Sequence, residues 1–501
     1  MTAQGTIAPL LARASARFGG RVALSFLGGA SHTFDQTDEL AGRVASGLAA
    51  KGVARGDRVL LHLPNSIEWV AVYHAIARLG AVIVPANAMA TVVELRYMAQ
   101  DAQVAGIVTS AANAAALRAE EAPFVVGCGA DADGDGFLSL ARAAYRPPAK
   151  VAPDDLFTIC YTSGTTGRPK GVMLSHGNVF QSMAGTATFH VRHGGDVAFS
   201  ALPFPHVYGN IVLNAVFLTG MRLIAAARFD AGEALRTISR DGVTLFEGVP
   251  TMYYQLLAHP DLTTANLTSL SRCTVGGQTM PLAKQQAVMA RLGCPLLELW
   301  GMTELAGPAT THSPWWVPRP GTVGLPLPGV QVRIASLSAP SIDLPPGEDG
   351  EVFVRGPLTT RGYWKRPEAT AEVLDRSGWL ATGDIGHLDA DGYLTVVDRK
   401  KDMILTAGYN VYPAELERVI ALHPGVKMVA VVGVPDEDKG EVAHAFVVPM
   451  DDKAPDADEL LAHCRLHLAA YKVPRRVSFV DDLPKTGTGK IMRGALRAPT
   501  A

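Results

Sequence analysis

Short β-branched runs alternate with longer Ala/Leu-rich segments through the first two thirds of the chain. Arg58-Val59-Leu60-Leu61-His62-Leu63 reads as a strand, Ser66 to Leu79 as a helix and Ala81-Val82-Ile83-Val84 as the next strand. Repeated units of this kind favour a parallel sheet covered by helices on both faces, because each crossover lays its helix over the sheet. The proline-marked stretch Pro147 to Pro153 predicts a connector between two such lobes. The Ala-rich stretch Ala111 to Ala119 is expected to be a helix. From about Gly321 the texture changes to short strands separated by Gly/Pro turns at Leu325–Gly329, Leu344–Gly350 and Asp389–Gly392. That spacing predicts an antiparallel, barrel-like β subdomain over about 321–398. After Asp398-Arg399-Lys400-Lys401-Asp402 the mixed pattern returns for one more small domain. The expected fold class is therefore α/β. A large N-terminal domain, residues 1–398, carries two helix-covered β-sheet lobes and the β subdomain, and a small α+β domain spans 399–501.

Composition narrows the class. The 501 residues are 48% hydrophobic and 18% charged, and 45 Lys plus Arg against 47 Asp plus Glu leave a net charge of -2. Such a chain has ample core for several domains, which excludes disorder and fibrous repeats. No Lys/Arg block marks a nucleic-acid or membrane-surface footprint, so any anionic ligand must be held locally. Five cysteines, at 128, 160, 273, 294 and 464, are odd in number and lack zinc-site spacing. They are expected to be reduced and mostly buried. The opening Met1 to Gly5 has no basic region followed by an apolar run. The most apolar long stretch, Trp69 to Val84, is interrupted by His74 and Arg78. A cytoplasmic protein with no transmembrane segment and no nucleic-acid partner is expected.

Four segments carry candidate chemistry. Thr162-Ser163-Gly164-Thr165-Thr166-Gly167-Arg168-Pro169-Lys170-Gly171 follows the apolar run Leu156 to Cys160, so it leaves a strand. Its backbone N–H groups, hydroxyls and one lysine can surround a polyphosphate. It does not fit the Walker register of Gly, four residues and Gly-Lys. Leu299-Trp300-Gly301-Met302-Thr303-Glu304 offers an aromatic for a base, a hydroxyl for a phosphate and a carboxylate for Mg²⁺, a hard cation. Trp379 to Asp384 and Tyr393 to Lys400 place an acid and a base at the start of the final domain, suited to ribose hydroxyls and phosphate. Leu483 to Arg493 is a Gly/Thr loop with lysines, able to bring a point charge to an anionic transition state. Taken alone, each segment also reads as an ordinary turn or, at Trp300, as a buried aromatic.

Together and in this order they resemble the adenylate-forming superfamily of acyl-CoA synthetases, peptide-synthetase adenylation domains and firefly-type luciferases, across nearly the whole chain. The resemblance implies that Thr162, Ser163, Gly164, Thr165, Thr166, Gly167 and Lys170 wrap the β and γ phosphates of ATP. Thr303 then contacts the α-phosphate, Glu304 holds Mg²⁺, Trp300 lies beside the adenine, and Gly301 lines the nucleotide site and the acyl pocket. Gly276, Gly277 and Gln278 resemble the other wall of the adenine and acyl site, with Gln278 where a small residue is expected. Asp384 resembles the ribose-binding aspartate, Arg399 the arginine beside the hinge and Lys401 the pivot. Lys490 resembles the catalytic lysine between the acyl carboxylate and the α-phosphate, and His206 an active-site histidine beside that carboxylate. Rotation of a mobile C-terminal domain about Lys401 would withdraw Lys490 and bring Gly408 and Tyr409 to a pantetheine tunnel for coenzyme A.

The implied activity is ATP-dependent conversion of a carboxylic acid to its acyl-adenylate, then to its CoA thioester, with release of AMP and pyrophosphate. The partners are an acid, ATP and CoA, and a homodimer is the assembly left open. The neighbours of His206, namely Val207, Tyr208, Asn210, Ile211 and Val212, are largely apolar. They favour a monocarboxylic acid over a dicarboxylate, with a fatty acid ranked first and an aryl or cinnamate-type acid second. Loading of a carrier protein ranks lower, because no carrier domain follows Arg497. A luciferase-like monooxygenase and a non-catalytic nucleotide-binding relative are the readings from other classes. Asp131 to Gly136 imitates the opening of an EF-hand loop, but Arg142 stands where the bidentate Glu belongs, so it is expected to be an acidic surface turn. Trp315-Trp316 is expected to be packing.

Overall fold

The computed structural model describes residues 5–117, 122–129, 136–162, 169–407, 409–436, 439–450, 453–485 and 491–497. The expected strand, helix and strand in the first lobe are Arg58–His62, Ile67–Leu79 and Val82–Pro85. Ser66 starts that helix by accepting the Trp69 amide, and Gly80, at φ +67°, ends it in the left-handed region. Arg78, which breaks the apolar stretch, is buried against Asp38, and both are bound by the Tyr145 hydroxyl. His74 is fully buried against the rings of Tyr73 and Phe217, and burial pushes its pKa down to about 3.

The first lobe holds a six-stranded sheet ordered Val125–Cys128, Gly106–Ser110, Arg58–His62, Val82–Pro85, Leu156–Thr162 and Lys170–Ser175. All pairs are parallel except the last. The loop after Thr162 therefore does not lead into a helix. It closes a hairpin in which Thr162 pairs with Lys170. The second lobe is built on a nine-stranded sheet whose parallel centre runs through Leu296–Met302, Arg272–Val275, Leu245–Gly248, Val197–Ser200 and Arg222–Ala225. The N-terminal strands Val22–Phe26 and Ser31–Thr33 join this second sheet, beside Arg222–Ala225. One apolar core runs through both lobes.

The third sheet is a meander of Gln331–Ala335, Gly350–Arg355, Leu380–Leu388 and Leu394–Arg399. Its outer strands do not pair with each other among the described residues, so the expected barrel-like subdomain is an open sheet. Asp384 lies in the middle of one of its strands, not at the start of the final domain. The C-terminal unit has its own core around Ile404, Leu416, Val431 and Ala445, formed by a five-stranded sheet and two helices, Pro413–Ile420 and Ala457–His467. Among the described residues no helix is long and apolar enough to cross a membrane, and all five cysteines are buried and unbridged. Trp316 packs edge-on against Phe189, whereas Trp315 is exposed and not packed as expected. The acidic segment 130–135 lies outside the described residues.

Candidate active site

The site forms where the second lobe's sheet, the third sheet and the hairpin of the first lobe meet. The strand Leu296–Met302 runs past the expected strand end and contains Trp300 and Gly301. A single 3₁₀ turn, Thr303–Leu305, follows it. Gly301 is required here because a Cβ would overlap the Gly307 carbonyl oxygen of the adjacent antiparallel strand. Gly276 is similarly tight, with a Cβ position only 3.0 Å from the Leu299 carbonyl oxygen.

Trp300 is buried in the core of the third sheet. Its indole N–H donates to Asp384 Oδ2 at 2.8 Å. What Trp300 supplies to the site in this arrangement is the aim of the Asp384 carboxylate. On the other oxygen, Arg399 Nε stands 2.9 Å from Oδ1 as an ion pair. Oδ1 nonetheless has no hydrogen-bond partner among the described residues, so a buried acceptor is left open at this point. Asp384 and Arg399 are register partners on neighbouring strands, which explains the pairing of residues 15 positions apart.

Glu304 lies in the same electrostatic neighbourhood. Burial pushes its carboxyl above the usual range, and the Tyr363 hydroxyl and Arg399 pull it part of the way back. Tyr363 donates to Glu304 Oε1 at 2.9 Å, and Lys170 Nζ sits 5.2 Å from the centre of the Tyr363 ring. Segment 359–364 is stitched between the hairpin and the Glu304 turn. Thr360 N donates to Glu304 O at 2.7 Å, Met173 N to Gly362 O at 3.0 Å and Trp364 N to Gly171 O at 2.7 Å. Glu304, Asp384, Arg399, Trp300 and Lys170 are thus gathered from four chain segments. Thr162 and Thr303 are half-buried at the same junction.

Glu304 also passes a chemical test as a cation ligand. Hard divalent cations take carboxylate oxygens, and Mg²⁺ is commonly held by one carboxylate plus substrate phosphates. Among the described residues no group of three or more His, Cys, Asp or Glu side chains could hold a metal by itself. A shared site, completed by phosphate oxygens beside Lys170, is the arrangement these residues fit.

His206 is exposed and caps the helix Val207–Thr219, its Nδ1 accepting the Tyr208 amide at 3.3 Å. The candidate acyl residues on this helix face different ways. Val207 and Asn210 line a small cavity of about 10 Å³ with Tyr73, Thr158, Cys160 and Ala306, room for about one water. Asn210 is already bound by Tyr73 and Asn214. Ile211 lies beside Gly307, and Val212 is buried. Tyr208 points at the sheet. Its hydroxyl shares a 2.5 Å hydrogen bond with the Thr274 hydroxyl, which in turn donates to Glu247, and Glu247 is paired with Arg192 at 2.5 Å. Burial, reinforced by Glu247, raises the Tyr208 pKa well above its ordinary value.

Among the remaining candidates, Gly277 has φ +87°, Gln278 is half-buried, and Tyr409 is exposed and stacked on Tyr471 at 4.6 Å. Lys401 is exposed in the turn between the third sheet and the C-terminal unit. Ser163, Gly164, Thr165, Thr166, Gly167, Gly408 and Lys490 lie outside the described residues.

Residues 11–364 match the model for "AMP-binding enzyme", and residues 415–490 that for "AMP-binding enzyme C-terminal domain". The chain belongs to the AMP-binding enzyme family. This synthetase is 40% identical to a feruloyl-CoA synthase of Amycolatopsis sp over 94% of each chain. It is 34% identical to a long-chain-fatty-acid–CoA ligase of Bacillus subtilis over 98% of this chain and 94% of the relative. Its structure superposes on ATP-bound MatB from Rhodopseudomonas palustris with TM-score 0.92 and 34% identity, covering 98% of each chain. Against the apo form of that protein the TM-score is 0.80. The chain is an AMP-forming acid–thiol ligase, an acyl- or aryl-CoA synthetase of the adenylate-forming superfamily.

Sequence reading of the synthetase missed two groups. Tyr363 and the stitch around it were signalled only by the aromatic pair in Arg361-Gly362-Tyr363-Trp364. The buried chain Tyr208, Thr274, Glu247 and Arg192 was signalled by one acidic residue inside the apolar run Leu245-Phe246-Glu247-Gly248.

Proposed function

We propose that the synthetase joins ATP to a monocarboxylic acid with an aromatic tail, then transfers the acyl group from AMP to coenzyme A. The observation that carries the aromatic preference is the polar chain beneath His206. Thr274 lies on the strand Arg272–Val275, two residues before Gly276, which follows the strand's end, so it sits about 7 Å deeper at ~3.3 Å per residue. Glu247 is its register partner, and both are buried. With Tyr208 locked across them, these groups make a shallow floor on the helix side of the sheet. A single ring needs less depth than a long alkyl tail. A long alkyl tail would have to break a buried ion pair or turn aside, which favours the aryl acid over the fatty acid ranked first from sequence. The feruloyl-CoA synthase of Amycolatopsis, similar over nearly the whole chain, supports the same order.

In this reading Thr162, residues 163–167 and Lys170 take the β and γ phosphates, and Thr303 the α-phosphate. Asp384, with Oδ1 open, accepts ribose hydroxyls, and Arg399 adds positive charge beside it. Gly276, Gly277 and Gly301 let the nucleotide and the acid lie close to the backbone, and the Gln278 side chain bonds the adenine or shortens the acyl pocket. Glu304 would hold Mg²⁺, which when bound offsets the charge crowding at the phosphates. His206 and Lys490 orient the acid's carboxylate at the α-phosphorus. Lys401 serves as the pivot that brings Gly408 and Tyr409 to CoA. No side-chain nucleophile is needed, because charge stabilisation and positioning suffice for in-line displacement.

The test is a panel of hydroxycinnamic, benzoic and C8 to C16 fatty acids, each with ATP, Mg²⁺ and CoA. The expected result is a kcat/KM at least ~10-fold higher for the best aromatic acid, the discrimination one misplaced apolar group provides. Preference for a long-chain fatty acid would overturn the aromatic assignment.

A further inference from the structure

The joint between the N-terminal and C-terminal units is short. Leu394–Arg399 belongs to the third sheet and Ile404–Thr406 to the C-terminal sheet, so residues 400–403 join them. Asp398, just before the joint, is buried, yet its carboxylate is bound from the far side. Oδ2 accepts the Ala414 amide, in the first turn of helix Pro413–Ile420, at 2.7 Å, and Oδ1 faces Arg493 Nη1 at 3.3 Å. The same guanidinium pairs with Glu417 at 2.6 Å and reaches Asp402 at 3.5 Å, and both of these carboxylates lie beyond Lys401. Lys400, still before Lys401, is tied back to Glu351 of the third sheet at 2.8 Å.

Of the three carboxylates around Arg493, Asp398 alone precedes the pivot. A turn at Lys401 leaves the pairs with Glu417 and Asp402 intact and removes Asp398 from the Ala414 amide and Arg493, leaving only the adjacent Arg399 amide, at 2.7 Å from Oδ1, among its partners in the described residues. Arg493 is also fixed to the base of the segment that carries Lys490. Lys485 and Ile491 form an antiparallel bridge, and Met492 N donates to Pro484 O at 2.8 Å.

We propose that Asp398 is a positioning residue, an interdomain latch closed by the Ala414 amide and Arg493. It holds the C-terminal unit in the arrangement described here and opens when the enzyme exchanges its adenylating and thioester-forming arrangements. Asp398 acts through Arg493 on the Lys490 segment and touches no substrate. The inference rests on the proposed two-step reading with a rotating C-terminal unit.

The experiment measures an inter-spin distance in the full-length protein, labelled through Val317→Cys and Leu466→Cys, two exposed positions on opposite sides of the joint. Asp398→Asn keeps an acceptor for the Ala414 amide but loses the charge. It is expected to lower the population at the present distance about tenfold relative to other distances, the change expected from losing one charge-assisted bond. Arg493→Lys is expected to shift it in the same direction. Glu417→Gln, which removes a partner on the far side of the pivot, is expected to leave the distribution in place. In parallel, the ratio of ATP–pyrophosphate exchange to thioester formation should change in Asp398→Asn and not in Glu417→Gln. An unchanged distance distribution in Asp398→Asn, or an equal shift in Glu417→Gln, would overturn the latch. If the unsubstituted enzyme shows no ATP–pyrophosphate exchange, the two-step reading fails, while the distance comparison still decides whether the latch exists.

Discussion

Glu298 and Glu304, six residues apart on one strand and its following turn, are both buried acids with different consequences. Glu304 has the Tyr363 hydroxyl and the Arg399 charge to offset part of its burial. Among the described residues Glu298 has the Gln285 amide at 2.9 Å and a backbone N–H at Gly321 as its partners, and burial raises its pKa to about 8. The folded chain therefore holds a proton that the unfolded chain, at the usual value of 4.5, releases. The stability contributed by that proton is complete below 4.5 and is lost as pH rises through 8. Glu298→Gln keeps the acceptor oxygen without the charge. We predict that it raises the unfolding midpoint at pH 9 by at least ~2 °C in a calorimetric scan, with the gain vanishing near pH 4. A midpoint unchanged at pH 9 would show that Glu298 is ionised at little cost.

At the scale of elements, the local pattern reaches as far as local physics does. The helix Ile67–Leu79 and the strands around it follow from hydrophobic period, a serine cap and a closing glycine. Gly301 and Gly276 stand out in their motifs, although the carbonyl oxygens that exclude a side chain belong to other strands. The pairing of Val22–Phe26 with Arg222–Ala225 was not legible, because some 200 residues separate strands with no mutual signal in either. Tyr363 was missed for the same reason, since its hydroxyl meets Glu304 59 positions away. A comparison of glycines tests the close-approach account. Gly301→Ala is expected to cost about 3 kcal/mol, the upper range for overpacking against backbone. Gly293→Ala, a helix-ending site at φ +71° with open space around it, should cost only about 1 kcal/mol, the strain of a left-handed residue. Denaturant unfolding of the two variants checks the order, and equal losses would contradict it.

At the scale of the whole molecule, two lobes and an open sheet form one wall, and a C-terminal unit with a separate core is joined to it through four residues. Such a joint suits a reaction in two chemical steps at one carbonyl, where one loop must leave before another arrives. The most direct test of that sequence uses an acid labelled with ¹⁸O in its carboxylate, turned over with ATP, Mg²⁺ and CoA. If the carboxylate attacks the α-phosphorus and the thiol then attacks the carbonyl, one labelled oxygen remains on each AMP formed and none enters pyrophosphate. Unlabelled AMP, or label in any other phosphate product, would contradict the acyl-adenylate.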